Sequence, residues 1–205
     1  MAGDLLYLPA AGHRVMPWAN GGGSTAEVAI FPPGASVSAR DFDWRISMAR
    51  VEGDGPFSAL PGFDRILTLM AGPGITLEAA GQGRFVLDRA YAKAEFPGDW
   101  AIAARLHGGP IDDLNVMTRR GRWLASIDIL PVDGQVRIER RAVLILVGLE
   151  GAVSVEGRPL GPRDALLAPE GGEGWLSLAG NGILAAVTLV RVAADAPSRA
   201  LFTHV

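Results

Sequence analysis

Several residue types that support common kinds of protein chemistry are scarce or missing in this chain of 205 residues. It contains no cysteine, which excludes disulfides, thiol nucleophiles and thiolate metal sites. Lys93 is the one lysine among 19 lysine and arginine residues, so a Schiff-base mechanism would have to use Lys93 or the N-terminus. The three histidines, His13, His107 and His204, are far apart in the sequence.

The chain also lacks a long apolar run and a strong charge of either sign. Its longest apolar stretch, residues 142–149, is far shorter than the roughly 20 residues that a membrane helix needs. The start, with Asp4 ahead of Leu5 and Leu6, has neither the basic segment nor the apolar segment of a signal peptide. The net charge is −3 and no basic patch is visible, which argues against a nucleic-acid partner. We therefore expect a cytoplasmic protein that binds neither membranes nor nucleic acid.

What the sequence does contain is an apolar chain divided into short segments by 27 glycines and 14 prolines. With 49% apolar residues the chain is too hydrophobic to be disordered. No segment shows a long helical period with caps, whereas residues 44–51 alternate between two faces, with Arg45, Ser47 and Ala49 on one of them. Short strands at close spacing predict a sandwich or barrel. The predicted strands are residues 25–31, 44–51, 66–70, 75–79, 84–87, 101–106, 114–119, 121–130, 142–149, 152–156, 165–168, 175–178 and 183–192.

An internal repeat indicates two related halves. Residues 67–78 and 144–156 each read as strand, glycine turn, strand and acidic residue, and each is followed by a turn whose aspartate, Asp99 or Asp164, precedes another apolar run. Chance similarity between two hairpins is the alternative to a duplicated barrel. The order of these features resembles the cupin double-stranded β-helix. It predicts an all-β bicupin, that is, two jelly-roll barrels with little helix, with halves at residues 1–120 and 121–205 that share strands in one compact unit.

The most distinctive stretch is MPWANGGGSTAEV at residues 16–28. It resembles the opening motif of the HutD/Ves family, Pro-Trp-Lys-Asn-Gly-Gly-Gly-x-Thr-Arg-Glu. Three further blocks, at residues 42–49, 54–65 and 109–121, agree with the family in the same order. The resemblance covers about residues 16 to 121, and the C-terminal part depends on the repeat.

This resemblance implies a bicupin fold and a link to bacterial histidine utilisation, with a small carboxylate metabolite of the formylglutamate or urocanate class as the ligand. It does not supply a defined biochemical activity. Two positions depart from the family pattern, because Ala19 stands where the family usually has lysine and Ala26 where it usually has arginine. If either cation touches the ligand in relatives, this protein binds a different ligand or binds it more weakly.

Arg45 and Arg65 are the leading candidates for binding the carboxylate. A guanidinium presents a rigid fork that can hold a carboxylate through two hydrogen bonds. Ser47 shares a strand face with Arg45 and adds a hydroxyl, and in a cupin barrel one face of each strand lines the interior. The alternatives are structural ion pairs, of Arg45 with Asp41 or Asp43 and of Arg65 with Asp64.

Asn115 and Met117 share a face of the predicted strand 114–119 and would give the pocket a polar group and an apolar wall. The alternative is that the opposite face, with Leu114, Val116 and Thr118, points to the pocket or core.

Trp18 and Asn20 lie beside the triple glycine, where Trp18 either covers the mouth of the pocket or packs in the core. The glycines allow the backbone to approach a ligand closely or simply form a sharp turn. Glu27 is expected to pair with an inward arginine rather than to act as an acid or base.

The sequence predicts no metal and no cofactor. Metal-binding cupins present His-x-His and a carboxylate from one hairpin and a third histidine from a later strand, but neither repeat segment contains a histidine. His107 follows the first aspartate turn and would be alone there. One histidine with scattered carboxylates rarely holds a transition metal.

These observations favour a metal-free bicupin that binds a small carboxylate and acts as a sensor or governor of histidine or amino-acid catabolism. The alternative is a cofactor-independent cupin enzyme, an isomerase or hydrolase acting on an acyl-amino acid, so enzymatic activity stays open. A third interpretation is a structural or partner-binding protein whose barrel is filled by side chains. The sequence does not place Glu27, Asp113 or His107 relative to Arg45. Exposed cupin edges also allow a homodimer.

Overall fold

The computed structural model describes residues 5–172 and 174–193, and β-strands make up nearly all of its regular structure. Helical structure within these ranges is limited to one 3-10 turn, Ala10–Gly12, which confirms the predicted all-β class. The strands are β1 (Leu6–Leu8), β2 (Arg14–Pro17), β3 (Gly23–Phe31), β4 (Trp44–Val51), β5 (Gly55–Phe57), β6 (Phe63–Ala71), β7 (Ile75–Ala79), β8 (Gly83–Leu87), β9 (Lys93–Pro97), β10 (Ile102–Leu106), β11 (Ile111–Arg119), β12 (Trp123–Arg140), β13 (Val143–Val155), β14 (Arg158–Leu160), β15 (Ala165–Ala168) and β16 (Gly174–Arg191).

Residues 14–124 and 191–193 form one compact unit that contains two antiparallel sheets. A six-stranded sheet has the order β2-β3-β4-β11-β6-β9, and a four-stranded sheet has the order β5-β10-β7-β8. Side chains of both sheets meet in one apolar core, where Leu67 and Phe96 of the larger sheet pack with Ile75 and Leu77 of the smaller one. Burial of such side chains contributes about 1.5–3 kcal/mol each to stability.

Strand β4 shows why this unit contains a candidate site. Its alternation places Trp44, Ile46 and Met48 on one face and Arg45, Ser47 and Ala49 on the other, and both of these sets are buried. A guanidinium and a hydroxyl inside a protein are costly unless polar partners surround them. Packing alone does not explain the buried polar face of β4, which therefore marks the candidate site of this unit.

Residues 5–13 and 125–190, apart from residue 173, belong to a second compact unit. Its sheet has the order β1-β15-β13-β16-β12, with β14 paired to β13. The register between β13 and β16 shifts between Gly148 and Glu150, so β13 carries one extra residue there. This bulge moves the core-facing positions of β13 from even numbers, such as Leu146, to odd numbers, such as Val153, because one added residue reverses the alternation of a strand.

The predicted strands 44–51, 75–79 and 165–168 have the observed boundaries. The interpretation of the repeat segments as hairpins is wrong. Residues 144–156 lie almost entirely in one bulged strand, β13, and the two strands of residues 67–78 belong to different sheets. Period-two alternation does not distinguish a reverse turn from a corner at which the chain passes into another sheet. Strands β1, β5 and β14 have three residues each, too few to show that period, and β2 and β9 were not predicted.

No helix in the part of the chain that the structure describes is long and apolar enough to cross a membrane. The boundary between halves at residues 120 and 121 stays a prediction of the sequence.

Candidate functional site

A cavity of about 400 Å³ lies within the unit of residues 14–124. Its volume is in the range of small-molecule sites. Strands β4, β6 and β11 line it, together with the loop at residues 18–20 and the segment around Phe57.

Strand register brings the polar residues of the cavity side by side. Strand β11 lies between β4 and β6, and Met117 pairs with Arg45 on one side and with Arg65 on the other. The next inward pairs along β4 and β11 are Ser47 with Asn115 and Ala49 with Asp113. Antiparallel pairing keeps paired side chains on the same face, so these residues form rows that point into the cavity.

Arg45 is 4% exposed and is held at two points. Its Nε donates to Oε2 of Glu27 at 2.8 Å, and its Nη1 donates to the Ser47 hydroxyl at 3.2 Å. Glu27 also accepts a bond from Arg14 at 3.1 Å. These contacts fix the orientation of the Arg45 guanidinium beside the cavity.

Arg65 is 6% exposed and lies between aromatic rings. Its guanidinium carbon is 5.3 Å from the centre of the Phe57 ring and 5.4 Å from that of Phe96, distances at which cation–π attraction operates. Its Nη1 donates to the Ser58 carbonyl at 3.4 Å, while its Nε has no partner among the described residues. Burial lowers the pKa of Arg65 to about 10, so the side chain still carries its charge at neutral pH.

Asp113 and Asn115 place oxygen acceptors on the same wall. Asp113 is 0% exposed and Asn115 is 5% exposed. Both Asp113 carboxylate oxygens and Oδ1 of Asn115 lack a hydrogen-bond partner within the described part of the chain. Burial raises the pKa of Asp113 to about 7, although the charge of Arg65 opposes this shift.

The loop at residues 18–20 forms part of the cavity wall. Trp18 donates from Nε1 to the Thr25 hydroxyl at 2.8 Å, and Asn20 accepts from the backbone N–H of Gly22 at 3.0 Å. Gly23 is required by a close approach, because a Cβ there would overlap the Arg50 carbonyl oxygen. The glycine run therefore shapes the turn that holds Trp18 against the cavity.

The structure brings together seven of the eight predicted site residues, namely Trp18, Asn20, Arg45, Ser47, Arg65, Asn115 and Met117. The eighth, Glu27, does not line the cavity but binds Arg45, as the pairing hypothesis expected. The alternative partners of the two arginines are engaged elsewhere, since Asp43 pairs with Arg119 and Asp64 with Arg120. What these residues bind stays a prediction.

Sequence reasoning did not place Asp113 at the site. The signal was present, because Asp113 lies two and four positions before Asn115 and Met117, on the same face of the strand. Phe57 was missed because strand β5 is too short to show a period. Of the two departures from the family pattern, Ala19 lines the cavity, whereas Ala26 is buried and is not part of its wall.

Neither of the two described histidines is a lining residue of the cavity. His107 is exposed and is within 2.8 Å of the Thr76 hydroxyl, and His13 contacts the Leu8 carbonyl. His204 lies outside the described residues. No group of three or more His, Asp or Glu side chains in the described ranges is arranged to hold a metal ion.

Comparisons with known proteins agree on the family to which this chain belongs. The HutD family model matches residues 10–186. Protein Ves of Citrobacter koseri is 40% identical over 120 residues, which are 57% of this chain and 60% of that protein. The match therefore spans less than two thirds of the length of that relative. Protein Ves of Cronobacter sakazakii is 35% identical over 159 residues, 77% of this chain and 80% of that protein.

A solved structure supports the same assignment. HutD from Pseudomonas fluorescens SBW25 superposes with a TM-score of 0.79 at 28% identity, covering 92% of this chain and 99% of that chain. The all-β architecture is cupin-like. Because the family model spans most of the sequence, the chain belongs to the HutD family.

Proposed function

We propose that this HutD-family protein binds a small carboxylate metabolite in the 400 Å³ cavity and acts as a sensor or governor of histidine or amino-acid catabolism. The observation that carries the proposal is the pair of buried arginines, Arg45 and Arg65, which lie on either side of Met117 in one cavity wall. Two nearly buried guanidiniums favour an anion and orient it.

The surroundings of the two arginines support a ligand that is small and only partly polar. Met117 and Phe57 give apolar contact area, and Trp18 and Ala19 line the wall. Glu27 offsets the charge of Arg45, whereas Arg65 is held mainly by aromatic rings and one carbonyl. No carboxylate among the described residues bonds to Arg65, so its N–H groups are more available to an incoming carboxylate than those of Arg45.

The proposal includes no resident metal and no cofactor. The cavity wall combines two guanidiniums with a single carboxylate, and cationic side chains repel a metal ion rather than bind it. A cytoplasmic location, a homodimer and the lack of nucleic-acid and membrane partners also stay predictions.

A bicupin arrangement is the finer form of the proposed fold, and the glycines of the two repeat segments support it. Gly74 and Gly151 occupy the seventh position after Leu67 and Leu144, with φ of 128° and 73°. At both positions a Cβ would overlap a backbone carbonyl, that of Leu87 in one case and that of Asn181 in the other. Both repeat segments thus need a glycine at the same point.

The turns that follow the repeat segments agree with this comparison. Asp99 accepts hydrogen bonds from Arg120 and from the Gly62 backbone, and Asp164 accepts from Tyr7 and from the Ala10 backbone. In each half, the aspartate of the turn thus forms hydrogen bonds to a segment that is distant in sequence, and the next strand follows the turn.

Calorimetric titration at neutral pH tests the proposed function. We expect binding of at least one of formate, glutamate, urocanate and N-formyl-L-glutamate. Arg65→Gln should weaken that binding at least about 10-fold, because hydrogen bonds to charged groups contribute about 1.5–3 kcal/mol.

Arg105→Gln is the matched control, because Arg105 is exposed, pairs with Glu78 at 3.1 Å and lies in a strand outside the cavity wall. Thermal unfolding of each variant checks that the fold is intact. Absence of binding by all four acids, or equal binding by Arg65→Gln and the unmodified protein, contradicts the proposal.

Asp113 favours a second candidate, the cofactor-independent enzyme. A buried carboxyl group with a pKa of about 7 beside an arginine has the protonation behaviour of a general acid or base. Incubation with N-formyl-L-glutamate followed by assay for released formate decides between binding alone and hydrolysis.

A further inference from the structure

The cavity has an acceptor end as well as a cationic end. Asp113 and Asn115 present three oxygens that accept no hydrogen bond from any residue the structure describes. Both side chains line the cavity and both are at least 95% buried. They belong to the strand whose Met117 lies beside Arg45 and Arg65, so the two kinds of group share one wall.

Burial of these oxygens is not explained by stability. A buried carboxylate without hydrogen bonds costs several kcal/mol, and structural carboxylates in protein interiors normally accept bonds from nearby donors. The neighbouring Asp112 shows the ordinary arrangement, because it accepts from Arg50 at 3.3 Å near the surface. Arg65 attracts Asp113 through its charge but donates no hydrogen bond to it.

The two ends of the cavity are separated along the strand axis. The level of Arg45 and Met117 is four residues from the level of Ala49 and Asp113, which is about 13 Å of strand at about 3.3 Å per residue. The long arginine side chains shorten the gap between the charged groups. A molecule that contacts both ends therefore needs hydrogen-bond donors at some distance from its anionic group.

We propose that Asp113, helped by Asn115, makes the cavity selective for acids that carry an N–H donor, such as an amide or imidazole, in addition to the carboxylate held by Arg45 and Arg65. This inference rests on the proposed function and specifies its ligand class. A plain carboxylate fills the cationic end and leaves the buried acceptors without partners. Sites built to bind an N–H strongly reject analogues that lack it for this reason.

Matched pairs of probes test the inference. 4-Acetamidobutanoate and 4-acetoxybutanoate differ by the replacement of N–H by oxygen at a distance from the carboxylate, and urocanate and 3-(3-furyl)acrylate differ by the replacement of an imidazole by a furan. We expect the N–H member of at least one pair to bind at least about 10-fold more tightly in calorimetric titration, since only that member supplies a donor to the otherwise unpaired buried oxygens.

Asp113→Leu removes the acceptor at similar side-chain size and should reduce this preference to within about 3-fold. Asp113→Asn keeps the shape of the side chain and one acceptor oxygen. We expect an intermediate preference for the N–H member from this variant, which serves as the test if the leucine variant does not fold. Asp112→Asn is the matched control, because it changes the adjacent carboxylate, which bonds with Arg50 rather than lining the cavity.

The outcomes separate this inference from the proposed function. Equal affinities within both pairs overturn the N–H selectivity but leave carboxylate binding intact, provided that Arg65→Gln still weakens it. A preference that survives in Asp113→Leu assigns selectivity to other residues and also overturns the inference. If the role of Asp113 were purely structural, its substitution would lower the affinity for both members of a pair equally. Failure of every acid to bind overturns the proposed function and this inference with it.

Discussion

Asp113 differs from Glu27 and Asp64 in lacking a counter-charge in contact. Glu27 and Asp64 each bond to an arginine at 2.8 Å, whereas the Asp113 oxygens accept nothing from the described residues. Charged groups facing Asp113 are Arg65 from β6, Arg45 from β4 and Asp112 from its own strand. Burial dominates over the attraction of Arg65 and raises the pKa of Asp113 to about 7 from an ordinary value of 3.8.

This raised pKa predicts that Asp113 makes the fold less stable as pH rises. Between about pH 4 and pH 7 the native state holds a proton that the unfolded state has released, so its contribution to the free energy of unfolding falls with pH. The slope for one proton is about 1.4 kcal/mol per pH unit. Denaturant unfolding of the unmodified protein and Asp113→Asn at pH 4.5 and pH 7 should show the variant gaining relative stability at the higher pH. Parallel stability profiles for the two proteins would contradict this.

Ala19 allows a second test at a single residue. It lines the cavity at an exposed position where the HutD/Ves pattern usually has lysine. Ala19→Lys adds a cation near the mouth and should strengthen binding of the dianion N-formyl-L-glutamate several-fold at low salt, with less effect on formate, and the gain should shrink as salt screens it. Titration at two ionic strengths measures this.

Ala103→Lys, at an exposed position of β10 outside the cavity wall, is the control for an added charge. An equal gain from both lysine variants would show that the net charge of the protein, rather than the position of residue 19, controls affinity.

At the scale of elements, β11 organises the candidate site because each of its neighbours contributes an arginine to the cavity wall. Asp113, Asn115 and Met117 follow one another at every second position, and pairing with β4 and β6 places Arg45 and Arg65 on either side of Met117. The same alternation places Leu114 and Val116 in the apolar interior on the other face. One strand thus supplies both core packing and the ligand wall.

The bulged strand β13 leads to a prediction about glycine, at a position called here the corner because Gly151 follows the register shift between Gly148 and Glu150. Gly151 and Gly157 have nearly equal φ, 73° and 76°, but an added Cβ overlaps the Asn181 carbonyl only at Gly151 and meets open space at Gly157. Alanine at either position pays the cost of a left-handed backbone, about 1–2 kcal/mol. Gly151→Ala should lose about 1–3 kcal/mol more, because the partner strand must move. Denaturant unfolding of the two variants gives the difference, and equal losses would contradict a steric need for glycine at the corner.

At the scale of the whole molecule, much of the candidate site could be predicted because it follows from local rules. The alternation of β4 assigned Arg45 and Ser47 to one face, and the alternation of β11 did the same for Asn115 and Met117. The alternation could not say which face was functional, since both faces of these strands are buried. The carboxylate-binding chemistry of arginine favoured the face of Arg45 and Ser47, and the family resemblance favoured the face of Asn115 and Met117.

Other features depend on contacts between distant parts of the chain. Glu27 rather than Asp41 or Asp43 binds Arg45 because β3 lies beside β4 in the sheet. The corner at Gly72–Gly74 passes the chain from one sheet to another, which a glycine turn in the sequence does not reveal. The register of β11 against its two neighbours decides which residues of β4 and β6 lie beside Asp113.

The sequence by itself determined the all-β class, the strands long enough to show a period, the family and most members of the site. Those features depend on residues close together in the chain, where alternation and turn chemistry act. Only the tertiary structure decided that Arg45, Arg65 and Asp113 share one cavity and that the carboxyl group lacks a partner among the described residues. The three residues lie on strands separated in sequence. Their meeting is set by strand order and register, which are fixed by burial and hydrogen bonding of the assembled sheets rather than by any local pattern.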